Sequence, residues 1–479
     1  MMTKERLNLL VVCLDTFRYD LAVHEAPWHV DLPNLDRLRS QGTLFAEAYG
    51  EGLPTIPMRR ALFTGERSFP WRFSYDTKGS WPTGRGWHKI PPEQPTLAEI
   101  LLAQGYQTGL IADTYHLFKP TGNFTRGFLA YEAVRGYESD NFRPGRIDPN
   151  LLGRYVKEPN PARHPVLTQY LLNVRGRQRE QDWTTAQVFL KASDWVLAAS
   201  AAEPFFLWVD SFAPHEPWDP PRPYLRRWGL EAEPSATNIE AIYPVNYTER
   251  DLSPEEIERT RALYLAYLAF VDRWLGHLLD TLERTGLDRR TVVMVVNDHG
   301  TELMDHGQFS KAPNRLYAHN TRMLWIARHP AGMATVSRAL VQSHDVLPTA
   351  LGMLGVAHDP VAGEDVWALR AAGAESGRPH VVIGWGSHAS VRNLAWNYVV
   401  NYQDPALDEQ LFDLTRDPDE RNNVAKAHPD VVTALRKPLI ALIGPLPATL
   451  SDTVVPGDAP ARTYFSSATD QTRRDAGFV

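Results

Sequence analysis

Cysteine is nearly absent from this sequence: Cys13 is the one thiol among 479 residues. A single thiol excludes an intramolecular disulfide and a cysteine-built zinc site, and it makes a reducing compartment, the cytoplasm, the expected location. An excess of basic charge is lacking too. Fifty Lys and Arg stand against 57 Asp and Glu, for a formal net charge of −7, which gives no support to a nucleic-acid partner. The apolar run at residues 7–14 is too short for a bilayer and has no small-residue cleavage site. It is therefore expected to be a buried strand, with no membrane association. No internal repeat is present, and 43% hydrophobic with 22% charged residues excludes wholesale disorder.

What the sequence does have is an alternation of apolar strands with helical patterns. The run 7–14 precedes a helix beginning near Pro33; a helical pattern at 97–102 ends at Gly105 and precedes a strand at 108–112; further strands are expected at 205–210 and 292–296, with a long amphipathic helix over 254–284 between them. This predicts an α/β fold with a mostly parallel central sheet flanked by helices, whose ligand site lies beyond the strand C-termini. Residues 66–95, 118–180 and 214–250, rich in Pro, Gly, Arg and Trp, read as loops over that site. Short strand-like segments from about 379 and a helix near 429–443 predict a smaller α+β subdomain. The expected division is a catalytic domain over 1–375, a C-terminal subdomain over 376–443, and an extended tail over 444–479. That tail has the length either to lie on its own domain or to reach a neighbouring subunit of a homo-oligomer.

Three strand ends carry carboxylates: Asp15, Asp210 and Asp298, the last followed by His299 and Gly300. Asp15, Asp298 and His299 form a hard, oxygen-rich donor set with one imidazole, suited to a single divalent ion such as Ca²⁺, Mg²⁺, Mn²⁺ or Zn²⁺. Either carboxylate taken alone also reads as a helix cap; together at strand ends they favour the metal. Asp210 and His215, five residues apart, make no clear second ligand set.

Leu14-Asp15-Thr16-Phe17-Arg18-Tyr19-Asp20, then Pro33-Asn34-Leu35-Asp36-Arg37-Leu38, resemble the opening of the sulfatase family within the alkaline phosphatase superfamily. Further segments match in the family's order: Thr55-Ile56-Pro57-Met58-Arg59 with Leu62-Phe63-Thr64-Gly65, Gly105-Tyr106-Gln107-Thr108, Arg126-Gly127-Phe128, Pro214-His215-Glu216-Pro217-Trp218, Asp298-His299-Gly300, Asp305-His306-Gly307-Gln308-Phe309-Ser310-Lys311, and Leu411-Phe412-Asp413-Leu414. The resemblance implies a divalent metal beneath a nucleophile at the start of a helix. A sulfatase has Cys or Ser at the first position of its C-x-P-x-R motif, oxidised to formylglycine. Here that position is Thr55, which cannot follow that route, and relatives such as nucleotide pyrophosphatases/phosphodiesterases attack phosphorus with an unmodified Thr.

Thr55 is then the fourth expected metal ligand, with Asp15, Asp298 and His299; a threonine hydroxyl bonded to a divalent ion is a competent nucleophile, and Arg59, one helical turn on, is placed to hold it or the anion. The alternative for Thr55 is a plain helix cap followed by an early-turn proline. The segment Ala112-Asp113-Thr114-Tyr115-His116-Leu117 is similar to the family's Gly-Lys-Trp-His-Leu-Gly, with the anion-binding Lys replaced by Thr114. Thr114 and Tyr115 are then the expected neutral donors to substrate. By the same resemblance His116 is retained from the pocket, His215 stands on the leaving-group side, and Lys311 is the remaining anion-binding lysine; His306 and His319 are left without a role. Losing one cation suits a phosphodiester or phosphonate monoester as the small-molecule substrate. The alternatives are a sulfate ester hydrolase working without formylglycine, a phosphoryl-group transferase, and a metal-binding protein that has lost catalysis.

Overall fold

A computed structural model describes residues 6–71, 86–119, 122–230, 238–371 and 378–448. Most of the tail, from 449 onward, and part of the 66–95 segment fall outside the described residues. In chain order the strands are β1 (Asn8–Leu14), β2 (Thr43–Tyr49), β3 (Gly52–Leu53), β4 (Gln107–Ala112), β5 (Ala130–Ala133), β6 (Phe205–Ser211), β7 (Thr291–Asn297), β8 (Glu302–Leu303), β9 (Phe309–Ser310), β10 (Trp325–Arg328), β11 (Thr335–Gln342), β12 (Val381–Trp385), β13 (His388–Arg392), β14 (Trp396–Asn401) and β15 (Glu409–Asp413).

The eight-stranded sheet runs β11-β2-β10-β7-β1-β6-β4-β5. Of its pairings only those of β10, with β2 and β7, are antiparallel. Its centre is apolar on both faces because β1 feeds two cores. Leu10, Val12 and Leu14 pack on one side, under the helix Pro254–Thr285, while Leu9, Val11 and Cys13 pack on the other, with the helices Thr55–Thr64 and Val346–Leu354. Helix Pro254–Thr285 starts on a capping box, Ser253 with Glu256, has Pro254 in its first turn and ends at Gly286 with φ +73°. Among the described residues no helix is long and apolar enough to cross a membrane.

Two departures from the sequence reading bear on function. The stretch 118–180 is less loop-like than expected, because Leu167, Tyr170 and Leu171 give the segment Pro165–Asn173 a buried helical face. Strand β2 escaped notice because Glu47 interrupts its apolar pattern; in the sheet Glu47 meets Arg322 at 3.2 Å. The five-stranded sheet has the order β15-β14-β13-β12-β3. Its C-terminal strands form an antiparallel meander, but its last member, β3, comes from the N-terminal part of the chain and pairs with β12 through Gly52↔Gly384 and Leu53↔Trp385. The C-terminal sheet thus holds the two residues that lead into the helix carrying Thr55.

Candidate active site

Parallel pairing brings the acidic strand ends together. Leu14 is in register with Asn297, so Asp15 and Asp298 leave adjacent strands side by side, and Asp210 in β6 lies opposite Cys13. Ala112 pairs with Asp210, which carries Thr114 to the same edge. The donor atoms of Asp15, Asp298 and His299 lie within 4.8 Å of one another, and all three residues are buried.

Arg59 is the hub. One turn into its helix, it donates from Nη1 to Asp298 Oδ2 (2.6 Å), to Asp15 Oδ2 (3.0 Å) and to the carbonyl oxygen of Thr55 (3.3 Å). From Nε and Nη2 it grips both oxygens of Asp210. The role of Asp210 is thus to orient this guanidinium, assisted by Trp208 Nε1 at 3.0 Å. Three carboxylates around one guanidinium leave an uncompensated negative charge in a dry interior, where a lone charge is costly. Burial and the neighbouring Asp298 push the Asp15 carboxyl well above the usual range. Asp298 goes the other way: despite burial, His299, Arg59 and the backbone N–H of Thr16 hold it far down.

His299 completes the donor set. Its Nδ1 is within 2.9 Å of the Gly300 carbonyl, to which it donates, leaving the buried Nε2 without a hydrogen-bond partner. Burial lowers its pKa to about 4, so the ring is neutral at pH 7. An orphaned imidazole nitrogen beside crowded carboxylates fits a divalent cation held by Asp15, Asp298 and His299, with Thr55 at the adjoining helix start. Gly300 is required by closeness. A Cβ there would stand 2.0 Å from the His319 carbonyl oxygen. Gly300→Ala should therefore cost at least about 1–3 kcal/mol of stability, by the usual penalty of overpacking, and displace His299; thermal unfolding with metal titration of the variant checks both.

Thr16 has φ +59°, a strained value for a β-branched residue. Four hydrogen bonds hold it there: its N–H to Asp298 (3.0 Å), its hydroxyl to Asp15 (2.6 Å), its carbonyl from Tyr264 (2.7 Å), and its hydroxyl oxygen from Lys311 (3.2 Å). This turn aims Asp15 into the cluster. Thr55 is 4% exposed at the first position of its helix.

Lys311 bridges Thr16 and Glu216, the latter at 3.1 Å. His215 donates from Nδ1 to the Glu216 carbonyl (2.7 Å), stacks on Phe212 at 4.4 Å between centroids, and accepts at its own carbonyl a hydrogen bond from Tyr137 (2.7 Å). Burial and Lys311 lower its pKa. His116 lies between Tyr115 (4.1 Å), Trp87 (5.1 Å) and Phe212 (5.6 Å), and burial, reinforced by Lys119, keeps it neutral.

Thr114 and Tyr115, the expected neutral donors to substrate, each meet a carboxylate in the structure. The Thr114 hydroxyl donates to Asp210 Oδ1 at 2.5 Å, and the Tyr115 hydroxyl to Glu138 Oε2 at 2.6 Å. Both protons are committed to carboxylates, which accept more strongly than a neutral group would. His306 and His319 stand behind the site in a supporting network. His306 bridges Glu302 and the Asp419 carbonyl, and His319 faces Asp305, which also binds Arg18. Glu216, Thr16 and Tyr137 were not foreseen; the first two lie inside recognised motifs but bear no signature of their own.

Residues 7–356 match the family model "Sulfatase". Among curated proteins, arylsulfatase K of Gallus gallus is 27% identical over 91% of this chain and 82% of its own length. Among solved structures, the phosphonate monoester hydrolase of Agrobacterium radiobacter superposes with a TM-score of 0.68 at 20% identity, covering 91% of this chain and 95% of its own. The phosphonate monoester hydrolase from Silicibacter pomeroyi gives 0.66 at 22% identity with the same coverage. With the family model spanning well over half its length, and the carboxylate, imidazole and guanidinium cluster at the strand ends, the chain belongs to the sulfatase family of ester hydrolases.

Proposed function

We propose that this protein hydrolyses phosphodiesters or phosphonate monoesters with unmodified Thr55 as nucleophile. The observation that carries the reading is a threonine, in place of Cys or Ser, opening the helix whose Arg59 is locked to Asp15 and Asp298. A bound divalent ion supplies Lewis acidity that lowers the hydroxyl pKa and offsets charge on the ester oxygens.

The chain's own residues do the rest. Thr55 Oγ forms the bond to phosphorus as the bond to the leaving oxygen breaks; the hydroxyl proton passes to solvent, and the leaving oxygen takes a proton from solvent relayed by His215. With its Nδ1–H spent on the Glu216 carbonyl and its ring neutral, His215 has Nε2 as the atom that receives and hands on that proton. Lys311 pairs with the non-bridging oxygens. Water then forms the new bond to phosphorus, and Thr55 departs with its proton restored. A sulfate ester fits this site less well, because a sulfo-threonine lacks the hemiacetal escape of a hydrated formylglycine.

The experiment is kcat/KM for matched aryl esters on one metal-saturated preparation. Phosphodiester and phosphonate monoester are expected at least about tenfold above the sulfate, roughly 1.4 kcal/mol of transition-state preference. The name carried by the curated relatives favours a second reading, sulfate ester hydrolysis. Fastest turnover of the aryl sulfate, sustained over many cycles, establishes that one instead.

A further inference from the structure

We propose that Glu216 sets the charge this pocket accepts: by cancelling the ammonium of Lys311 it makes the site selective for singly charged esters against doubly charged phosphate monoesters. The proposal rests on the reading above only in placing the substrate anion beside Lys311.

Glu216 is fully buried, with Oε2 3.1 Å from Lys311 Nζ and 3.3 Å from His215 Nδ1. Its Oε1 is buried and has no hydrogen-bond partner. A buried carboxylate with half its acceptor capacity unused is poor design for stability alone, since a methionine or leucine of similar bulk would avoid the desolvation. Its effect is electrostatic. Burial would raise its pKa, but Lys311 and His215 hold it at about 2, so it is ionised at neutral pH. Lys311's other hydrogen-bond contact, Thr16, is neutral. On the same wall His215 and His116 are uncharged, and the Tyr115 and Thr114 hydroxyls are spent on other carboxylates. At Lys311 the wall therefore sets one positive charge against one negative charge 3.1 Å away. Lys311 can still donate N–H to a substrate oxygen, so a monoanion is recognised by geometry. A second negative charge on the substrate meets Glu216 beside Lys311, in a low-dielectric site where that repulsion is poorly screened.

The test uses the metal-loaded, full-length protein. Glu216→Gln keeps shape and hydrogen bonding and removes the charge. It should raise the ratio of kcat/KM for an aryl phosphate monoester to that for the preferred monoanionic ester by at least tenfold, and tighten inorganic phosphate at pH 8.5 relative to dimethyl phosphate in calorimetric competition. Glu216→Asp should leave both ratios near the original. An unmoved ratio in a folded Glu216→Gln variant overturns the proposal. The unmodified protein gives an independent reading should that variant fail to fold. Dimethyl phosphate is expected to bind at least as tightly as dianionic phosphate; phosphate binding tenfold tighter overturns the proposal. Phosphodiesters and sulfate esters are both monoanions, so fastest turnover of the sulfate would remove the phosphodiester reading and leave the Glu216 result standing.

Discussion

Thr55→Ala is expected to lose at least about a thousandfold in kcat/KM, roughly 4 kcal/mol of transition-state stabilisation, while remaining folded. The folding half follows from position. Thr55 occupies the first position of its helix, and no hydroxyl cap closes that end. Alanine is a better helix former than threonine, so the backbone loses nothing there. The catalytic half follows from removing the one hydroxyl placed at that helix start next to the Arg59 hub. Peptide mass spectrometry should find residue 55 as plain threonine. Thr55→Ser should keep more activity than Thr55→Ala, because it retains the attacking oxygen and loses only a methyl group. Thr55→Cys restores the C-x-P-x-R pattern, which opens formylglycine formation in a host with the maturing enzyme. A loss below about tenfold in Thr55→Ala leaves no place for an obligatory covalent step.

Removing the divalent ion should abolish turnover and lower the unfolding temperature, and one ion per chain should restore both. At a hundredfold excess over Kd, binding to the native state alone adds about 2.7 kcal/mol. Asp298→Asn separates this from general damage, because the metal increment is read apart from the cost to the metal-free fold. In the metal-free protein Arg59 and the Thr16 N–H hold the Asp298 carboxylate ionised, so its loss should itself lower the unfolding temperature. With metal present the original protein gains stability and the variant does not, since a ligand charge is missing. Elemental analysis and thermal melts in both states check this. A variant that retains stoichiometric metal and activity removes Asp298 from the ligand set.

The helix Pro254–Thr285 and the strands β1 and β7 were legible because their signals are local: a helical period and unbroken apolar runs. The motifs carrying Asp15, Thr55, Arg59, Asp298 and His299 were legible for a different reason. They sit where strands end or a helix begins, and parallel sheets gather such residues at one edge. Which partner each side chain takes was not legible. The sequence has no means of stating that Arg59 binds Asp210, 151 positions away, or that the Thr114 hydroxyl turns to that same carboxylate rather than outward.

The sequence by itself determined the α/β class, the apolar strands and the chemical types in the site, because each depends on residues near one another along the chain. Only the tertiary structure decided the charge balance and the frame of the pocket. Glu216 reads as one more polar residue in Pro-His-Glu-Pro until folding buries it against Lys311, and Gly52 and Leu53 read as linker until they pair with β12, more than 300 residues later. Burial removes the water that would screen a charge or satisfy a backbone N–H. The partner that replaces that water is then set by which strands lie adjacent, and a one-dimensional pattern carries no record of that.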